Sequence, residues 1–167
     1  SYFNTGDLLR RIDVGFSFFL PHYEFVDRVG DTYRWKGENV STNEVGEIIN
    51  SVSSVEYCNI YGVQIPGTDG RAGMAAIIPM DGDLDLKVLS AHINEKVPSY
   101  ARPIFLRKLK AMDTTATFKM KKGELKEQAF HPTKCEDPIF VLKPGSDHYQ
   151  PLEEAFYMKL ISGSAGY

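Results

Sequence analysis

Apolar residues recur with the period of a helix just after Ser41, at Val45, Ile48, Ile49 and Val52. Ser41 supplies a hydroxyl N-cap, and Glu44 stands three residues later, as in a capping box. The preceding residues indicate a β-hairpin, with a strand over 32–35, a turn in the letters KGEN and a return strand at Val40. The pattern therefore predicts a hairpin that leads directly into an amphipathic helix.

Two further segments have the pattern of paired strands. Between Val55 and Ile65 every second residue shares one face, which predicts a half-buried strand. A loop in the letters GTDGRAG separates it from MAAIIP, a continuous apolar run that is typical of a more buried strand. We expect these two strands to pair antiparallel.

The second half of the chain continues to alternate between helix and strand. Apolar residues keep a helical spacing from Leu86 to Val97, and Pro98 ends that helix. A third strand is predicted over 104–109 and a final helix over 121–129, whereas the first residues favour short strands joined by turns. This order predicts an α+β fold: a small mixed sheet with a β-hairpin, covered by helices.

Composition narrows the class of protein. With 43% hydrophobic and 25% charged residues, the 167-residue chain has the balance of a globular protein. A net charge of -3 argues against nucleic-acid binding, because phosphate contacts need clustered lysine and arginine. Cys58 and Cys135 form no C-x-x-C pair, which favours a reducing cytosol. The histidines lack the spacing of a metal site, so no metal is assigned.

Three stretches resemble the closing motifs of the adenylate-forming enzymes, the superfamily of acyl-CoA synthetases, luciferases and nonribosomal peptide adenylation domains. They are YFNTGDLL from Tyr2, DRVGDTYRWKGENVSTNEV from Asp27 and TTATFKMKKGEL from Thr114, in that order. The second stretch, together with the later letters DPIFVLKPG and YQPLEEAFY, is similar to the fatty acid transport protein and very-long-chain acyl-CoA synthetase branch. The resemblance covers nearly the whole chain.

The resemblance implies a chain in three parts. Residues 1–26 would be a remnant of a large N-terminal adenylation domain, 27–31 the hinge, and 32–167 a small mobile C-terminal domain with its tail. Such enzymes join fatty acid and ATP into an acyl-adenylate and pyrophosphate, and CoA then gives acyl-CoA and AMP. Mg²⁺ is expected in the complete enzyme, with no site in this chain. Because the phosphate loop of the large domain is not among these residues, we expect the isolated chain to be inactive.

The same motifs assign roles to three charged residues by resemblance. Lys119, in the letters TFK, matches the lysine that stabilises the charge growing at the α-phosphate during adenylate formation. Asp7 matches the acid that accepts hydrogen bonds from both ribose hydroxyls, and Arg28 the arginine that reaches the ribose and phosphates. Without the resemblance, a solvated lysine, a turn aspartate and a surface ion pair would explain all three.

The hinge and the hairpin turn are assigned in the same way. Gly30 stands at the pivot where much of the superfamily carries Asp or Lys, and glycine suits a residue whose φ and ψ must change. Gly37, Glu38 and Asn39 resemble the turn that lines the pantetheine tunnel. Simple turns without a ligand are the alternative in both places.

The other basic residues receive no role. No spacing rule selects a CoA contact among them, so we expect solvated charge at Arg71, Arg102, Arg107 and Lys108. On the final helix, lysines and glutamates would share the polar face, at Lys121, Lys122, Glu124, Lys126 and Glu127.

Two alternatives to a fatty acyl-CoA synthetase remain open. One is a stand-alone domain that binds a nucleotide or a partner protein without catalysis, and a phosphate loop encoded before Tyr2 would exclude it. The other is a ligase for a different acid, such as a bile acid or a carnitine-like acid. The resemblance implies a parent that is cytoplasmic or peripheral to a membrane on the cytoplasmic side.

Overall fold

Two separate antiparallel hairpins and a helix come first in the structure, a computed structural model that describes residues 7–12, 22–28, 32–110 and 122–167. Along the chain they are β1 (Asp7–Ile12), β2 (His22–Arg28), β3 (Thr32–Trp35), β4 (Glu38–Ser41) and α1 (Thr42–Asn50). The Oγ of Ser41 accepts a hydrogen bond from the backbone N–H of Glu44 at 3.3 Å. The predicted hairpin, the N-cap and the helix that follows are therefore confirmed.

The later elements build a five-stranded mixed sheet. They are β5 (Val55–Val63), β6 (Ala72–Pro79), α2 (Leu86–Lys96), a 3-10 turn (Ser99–Ala101), β7 (Phe105–Lys108), α3 (Lys122–Gln128), β8 (Ile139–Val141), β9 (Gln150–Pro151) and α4 (Glu154–Ile161). The strands lie in the order β5-β6-β7-β8-β9. The β6–β7 pair is parallel, as the crossover through α2 allows, and the other neighbours pair antiparallel.

Helices cover both faces of this sheet. On one face α1 packs on β5 so closely that a Cβ at Gly46 would touch Ile60, and α2 packs beside α1. On the other face, the ring of Phe130, just after α3, stacks on Phe105 of β7 with centroids 4.5 Å apart. Phe105 and Ile60 lie on opposite faces, because Phe105 is in register, through β6, with the neighbour of Ile60, Tyr61. The α+β prediction of a mixed sheet covered by helices is confirmed.

β5 is more deeply buried than its alternation predicts. Tyr61 is buried as expected, but Cys58 and Ile60, which do not belong to the predicted buried set, are buried too. α1 covers one face of the strand and α3 packs on it as well. The half-buried assignment is therefore wrong for the second half of β5. Because helices cover this part of the strand, apolar residues can occupy both of its faces and no alternation is needed.

Three short elements follow the predicted final helix. α3 ends at Gln128, close to the predicted end, and β8, β9 and α4 come after it. The two strands contain only three and two residues, too few for a periodic signal. They extend the sheet beyond β7, which makes β7 an inner strand.

Tyr33 lies across two glycines of the sheet. Gly62 and Gly73 are register partners on β5 and β6. A Cβ at Gly62 would lie 2.7 Å from the Cβ of Tyr33, and a Cβ at Gly73 would overlap the Tyr33 hydroxyl. The missing side chains of both glycines therefore make the space in which the Tyr33 ring is buried.

Gly73→Ala is expected to lower the free energy of unfolding by about 1–3 kcal/mol, because the added methyl group displaces the Tyr33 ring from a packed site. Urea denaturation of wild type and variant measures this difference. Gly123→Ala is the control, since nothing lies within 4 Å of a Cβ at this α3 position. It should be neutral or slightly stabilising. Equal midpoints for Gly73→Ala and wild type would contradict this account of Tyr33 packing.

Candidate functional site

The turn between β3 and β4 is fixed by its backbone geometry. Lys36 and Gly37 have φ values of +50° and +85°, as the two central residues of a type I′ hairpin loop require. Glu38 pairs with Trp35 directly across the hairpin, and the side chains of Glu38 and Asn39 are exposed. Of the three residues predicted to line a pantetheine tunnel, Gly37 therefore lies in the tight turn, and Glu38 and Asn39 are the exposed first residues of β4. Their contact with pantetheine stays a prediction.

Trp35 anchors the base of this turn. Its indole is buried, and the Nζ of Lys36 lies 5.7 Å from the ring centroid. Its backbone forms an isolated antiparallel bridge with Gly70, and the N–H of Arg71 donates to the carbonyl oxygen of Arg34 at 2.6 Å. The exposed tip of the hairpin thus rests on a buried base that is tied to the β5–β6 loop.

Trp35 is absent from the residues predicted for the site. A signal for it exists, because the single tryptophan of the chain directly precedes the predicted turn. A large aromatic ring at the foot of a hairpin commonly packs into the protein and fixes the direction of the turn.

Asp7 and Arg28 occupy opposite positions of the first hairpin. They are register partners at one end of the β1–β2 pair. The two residues predicted to bind the same nucleotide are thus neighbours in the backbone, and their roles stay predictions.

Lys119 and Gly30 lie outside the described residues. In sequence, Lys119 falls between the end of β7 at Lys108 and the start of α3 at Lys122, and Gly30 falls between β2 and β3. Both predicted roles, adenylation catalyst and pivot, stay predictions.

Arg107 is buried and paired, so the expectation of solvated charge is wrong for this residue. Its side chain is 3% exposed, and Nε and Nη2 donate to Oδ2 of Asp137 at 2.9 and 2.6 Å. The reason is the position of β7, which has β6 on one side and β8 on the other and is covered by the segment after α3. Arg107 is a structural cation of the sheet.

The guanidinium of Arg107 acts electrostatically on the buried Tyr61 and the partly buried Cys135. Burial raises the pKa of Tyr61 and of Cys135, and the charge of Arg107 opposes the rise in each. Since burial has the larger effect, both groups are neutral at pH 7. Cys135 is accordingly a thiol without the properties of a nucleophile.

Of the other three residues expected to be solvated charge, Arg102 and Lys108 have defined partners. Arg102 donates from Nε to the carbonyl of Val97 at 3.0 Å and from Nη2 to that of Asn94 at 2.8 Å, at the end of α2. The expectation of solvated charge is therefore wrong for Arg102 as well. Its partly buried side chain caps α2, because the last carbonyl groups of a helix need hydrogen-bond donors. Lys108 donates to Asp83 at 3.2 Å.

Two side chains fit the expectation of solvated charge. Arg71 is exposed in the β5–β6 loop, and Lys126 is exposed on α3 with Glu124 and Glu127. These residues lie on the polar surface that the sequence predicts for them.

Cys58 and Cys135 are both free thiols. Residues 7–12, 22–28, 32–110 and 122–167 contain no group of three or more His, Cys, Asp or Glu side chains arranged to hold a metal ion. Within the same ranges, no helix has the length and apolar character needed to cross a bilayer.

Curated relatives match this chain over nearly all its length. Residues 44–119 match the family model of the AMP-binding enzyme C-terminal domain. Long-chain fatty acid transport protein 3 of Homo sapiens is 44% identical over 164 residues, 98% of this chain and 23% of that protein. Long-chain fatty acid transport protein 2 of Rattus norvegicus is 44% identical over 161 residues, 96% of this chain and 25% of that protein. The chain thus spans about a quarter of the length of the curated relatives it matches.

Solved structures share the fold at lower identity. Coronafacic acid ligase from Pectobacterium brasiliense superimposes with a TM-score of 0.64 at 18% identity, over 83% of this chain and 25% of that chain. A fatty acyl CoA synthetase of Mycobacterium tuberculosis gives 0.56 at 22% identity, over 75% of this chain and 24% of that chain. These likenesses show a common architecture.

Proposed function

Because this chain belongs to the family of AMP-binding enzyme C-terminal domains, we propose that it works as the small domain of a longer ATP-dependent fatty acyl-CoA synthetase. The substrates are long or very long chain fatty acids, ATP and CoA, and the products are acyl-CoA, AMP and pyrophosphate. The observation that carries the proposal is the 40–45% identity to long-chain fatty acid transport proteins over almost the whole chain.

The first step of the reaction forms an acyl-adenylate. A fatty acid carboxylate attacks the α-phosphate of ATP. Lys119 supplies a positive charge that reduces the repulsion between these two anions. Asp7 and Arg28 bind the ribose and phosphates. The backbone pairing of Asp7 with Arg28 at one end of the β1–β2 hairpin supports a shared ligand.

The second step transfers the acyl group to CoA. The thiol attacks the carbonyl of the adenylate and releases AMP, and the turn of Gly37, Glu38 and Asn39 lines the path of the pantetheine arm. The exposed tip of this turn and its buried base at Trp35 support that role. A fixed turn can guide a flexible thiol arm without first losing its own conformational freedom.

A rotation of the small domain separates the two steps. The proposed hinge, residues 27–31 with Gly30 as pivot, divides a part of the large domain in 1–26 from the small domain in 32–167. The separate β1–β2 and β3–β4 sheets support a boundary here, since no ladder joins them among the described residues. Glycine at the pivot permits a wide change in φ and ψ.

The whole enzyme requires partners that this chain does not provide alone. Mg²⁺ accompanies ATP in the complete enzyme, and the large domain selects the acyl chain. We place the enzyme in the cytoplasm or at the cytoplasmic side of a membrane, and a membrane-associated parent is consistent with substrates of low solubility.

The test uses the full-length protein with ATP, Mg²⁺, CoA and palmitate, and measures AMP and palmitoyl-CoA. Both should appear in equal amounts, and the isolated 167-residue chain should give neither. Cholate and carnitine, supplied in place of palmitate, test whether the enzyme activates the alternative acids. A full-length protein that forms no AMP and no thioester with any acid would overturn the proposal. Turnover by the isolated chain would contradict the proposal that the large domain is required for activity.

A further inference from the structure

The tail, defined as residues 153–167, is joined to the β3–β4 hairpin by aromatic contacts. The ring of Tyr167 meets Trp35 edge-on, with centroids 6.5 Å apart, and meets Phe156 of α4 at 6.4 Å. The hydroxyl of Tyr167 donates to the carbonyl oxygen of Leu142 at 2.7 Å. One side chain thus links α4, the residue after β8 and the base of the hairpin.

A backbone contact joins the tail to the hairpin by a second route. Gly163, just after α4, lies against the β5–β6 loop, where a Cβ at Gly67 would be 3.2 Å from the Cα of Gly163. Both glycines have positive φ, +71° and +79°, which suits residues without side chains at a close approach. The same loop reaches Trp35 through the bridge at Gly70.

Individual side chains hold the tail in place. Leu160 of α4 is fully buried, and the Nζ of Lys143 lies 5.2 Å from the centroid of the Phe156 ring. Burial also raises the pKa of Tyr167, so its hydroxyl stays protonated and able to donate to Leu142 at neutral pH. Tyr167 is therefore held from several sides and offers Trp35 a fixed neighbour.

The tail belongs to the part of the chain that the transport proteins share and the broad family model does not match. That model matches residues 44–119. The alignment with human transport protein 3 includes 164 of the 167 residues, and it therefore reaches the tail.

We propose that Tyr167 is a positioning residue for thioester formation, and that it acts through Trp35 on the turn of Gly37, Glu38 and Asn39. The inference rests on the proposed function, in which this turn guides the pantetheine arm of CoA. Trp35 immediately precedes the turn, and Tyr167 packs against its indole. Removing the Tyr167 ring leaves the base of the turn free to shift, so the thiol reaches the acyl carbonyl in fewer productive orientations.

Adenylate formation should not depend on this contact. Its proposed residues are Lys119, between β7 and α3, and Asp7 and Arg28, on the first hairpin. The tail therefore affects the second half-reaction selectively.

Tyr167→Ala in the full-length protein tests the proposal. Adenylate formation is followed by palmitate-dependent exchange of pyrophosphate into ATP, and thioester formation by mixing palmitoyl-adenylate with increasing CoA. We expect thioester formation to slow by about ten- to a hundredfold, with a higher KM for CoA and exchange unchanged. Tyr167→Phe keeps the ring and should restore most of the lost rate. Met158→Ala, at an exposed α4 residue (54%), is the matched control and should behave as wild type.

The single tryptophan gives a direct readout of the contact itself. In the 167-residue chain, Tyr167→Ala and Tyr167→Leu should both shift the emission of Trp35 to longer wavelength, because the indole gains water contact. Tyr167→Leu keeps an apolar side chain, so it also serves in the kinetic test where Tyr167→Ala does not fold.

The outcomes separate this inference from the proposed function. Equal loss in both half-reactions, or no loss in either, overturns the positioning role of Tyr167. Unchanged Trp35 emission in both Tyr167→Ala and Tyr167→Leu also overturns the positioning role of Tyr167. A wild-type protein that forms neither adenylate nor thioester overturns the proposed function instead.

Discussion

Lys119→Ala in the full-length protein is expected to slow adenylate formation by about a hundredfold to a thousandfold, the usual cost of losing one electrostatic donor at a transition state. Thioester formation from supplied palmitoyl-adenylate should continue at the wild-type rate. An ammonium that neutralises charge at the α-phosphate has no such task once pyrophosphate has left. Pyrophosphate exchange and single-turnover thioester assays measure the two steps separately.

The neighbouring lysines supply the controls for that experiment. Lys121 and Lys122 are close in sequence, and Lys126 is exposed on α3. Alanine at each should leave adenylate formation nearly unchanged. A silent Lys119→Ala combined with a severe loss in Lys121→Ala or Lys122→Ala would assign catalysis to a different lysine of the cluster.

Asp137→Ala in the 167-residue chain is expected to lower the free energy of unfolding by about 3 kcal/mol. The carboxylate of Asp137 is the ion-pair partner of the Arg107 guanidinium, and its removal leaves a buried cation without a counter-charge. Asp137 is 20% exposed, so water relieves part of the cost and the loss should fall at the low end for a buried pair. Urea denaturation gives the difference.

A second ion pair of the same sheet provides the comparison. Lys108 and Asp83 are 3.2 Å apart, but the Asp83 side chain is 97% exposed. Asp83→Ala should therefore cost much less stability than Asp137→Ala. Replacing Arg107 with methionine in the Asp137→Ala background should recover stability, because no buried charge then remains. Similar losses for Asp137→Ala and Asp83→Ala would contradict the structural role of Arg107.

Local signals were sufficient to predict about half of the fold. The Ser41 cap, the helical period after it and the KGEN turn each depend on residues within a few positions of one another. The antiparallel pairing of β5 and β6 followed from two apolar segments with a short loop between them. Each of these elements has its cause within a short stretch of sequence.

Long-range packing explains what the sequence did not predict. β8 and β9 are too short to have a period, and they form because they complete a sheet that already exists. The sequence around Arg107 indicates a surface charge. Its burial depends instead on Asp137 and on β8, the strand that pairs with β7. The contact of Trp35 with Tyr167 joins residues near opposite ends of the chain.

The candidate site was predicted to different extents. The hairpin turn has its own local signature and is confirmed, but it consists of Lys36 and Gly37, whereas Glu38 and Asn39 belong to β4. The roles of Lys119 and Gly30 rest on motif resemblance, because a lone lysine or glycine carries no chemistry that distinguishes it from its neighbours.

The late position of β8 in the chain has a consequence for synthesis on the ribosome. β7 pairs with β6 on one side and with β8 on the other. Until Ile139–Val141 has been translated, the outer side of β7 presents unpaired backbone groups, which favour association with other nascent chains. Folding of this domain during synthesis therefore passes through a stage of aggregation risk that ends only when β8 has emerged from the ribosome. A messenger truncated before Ile139 would leave every copy at that stage.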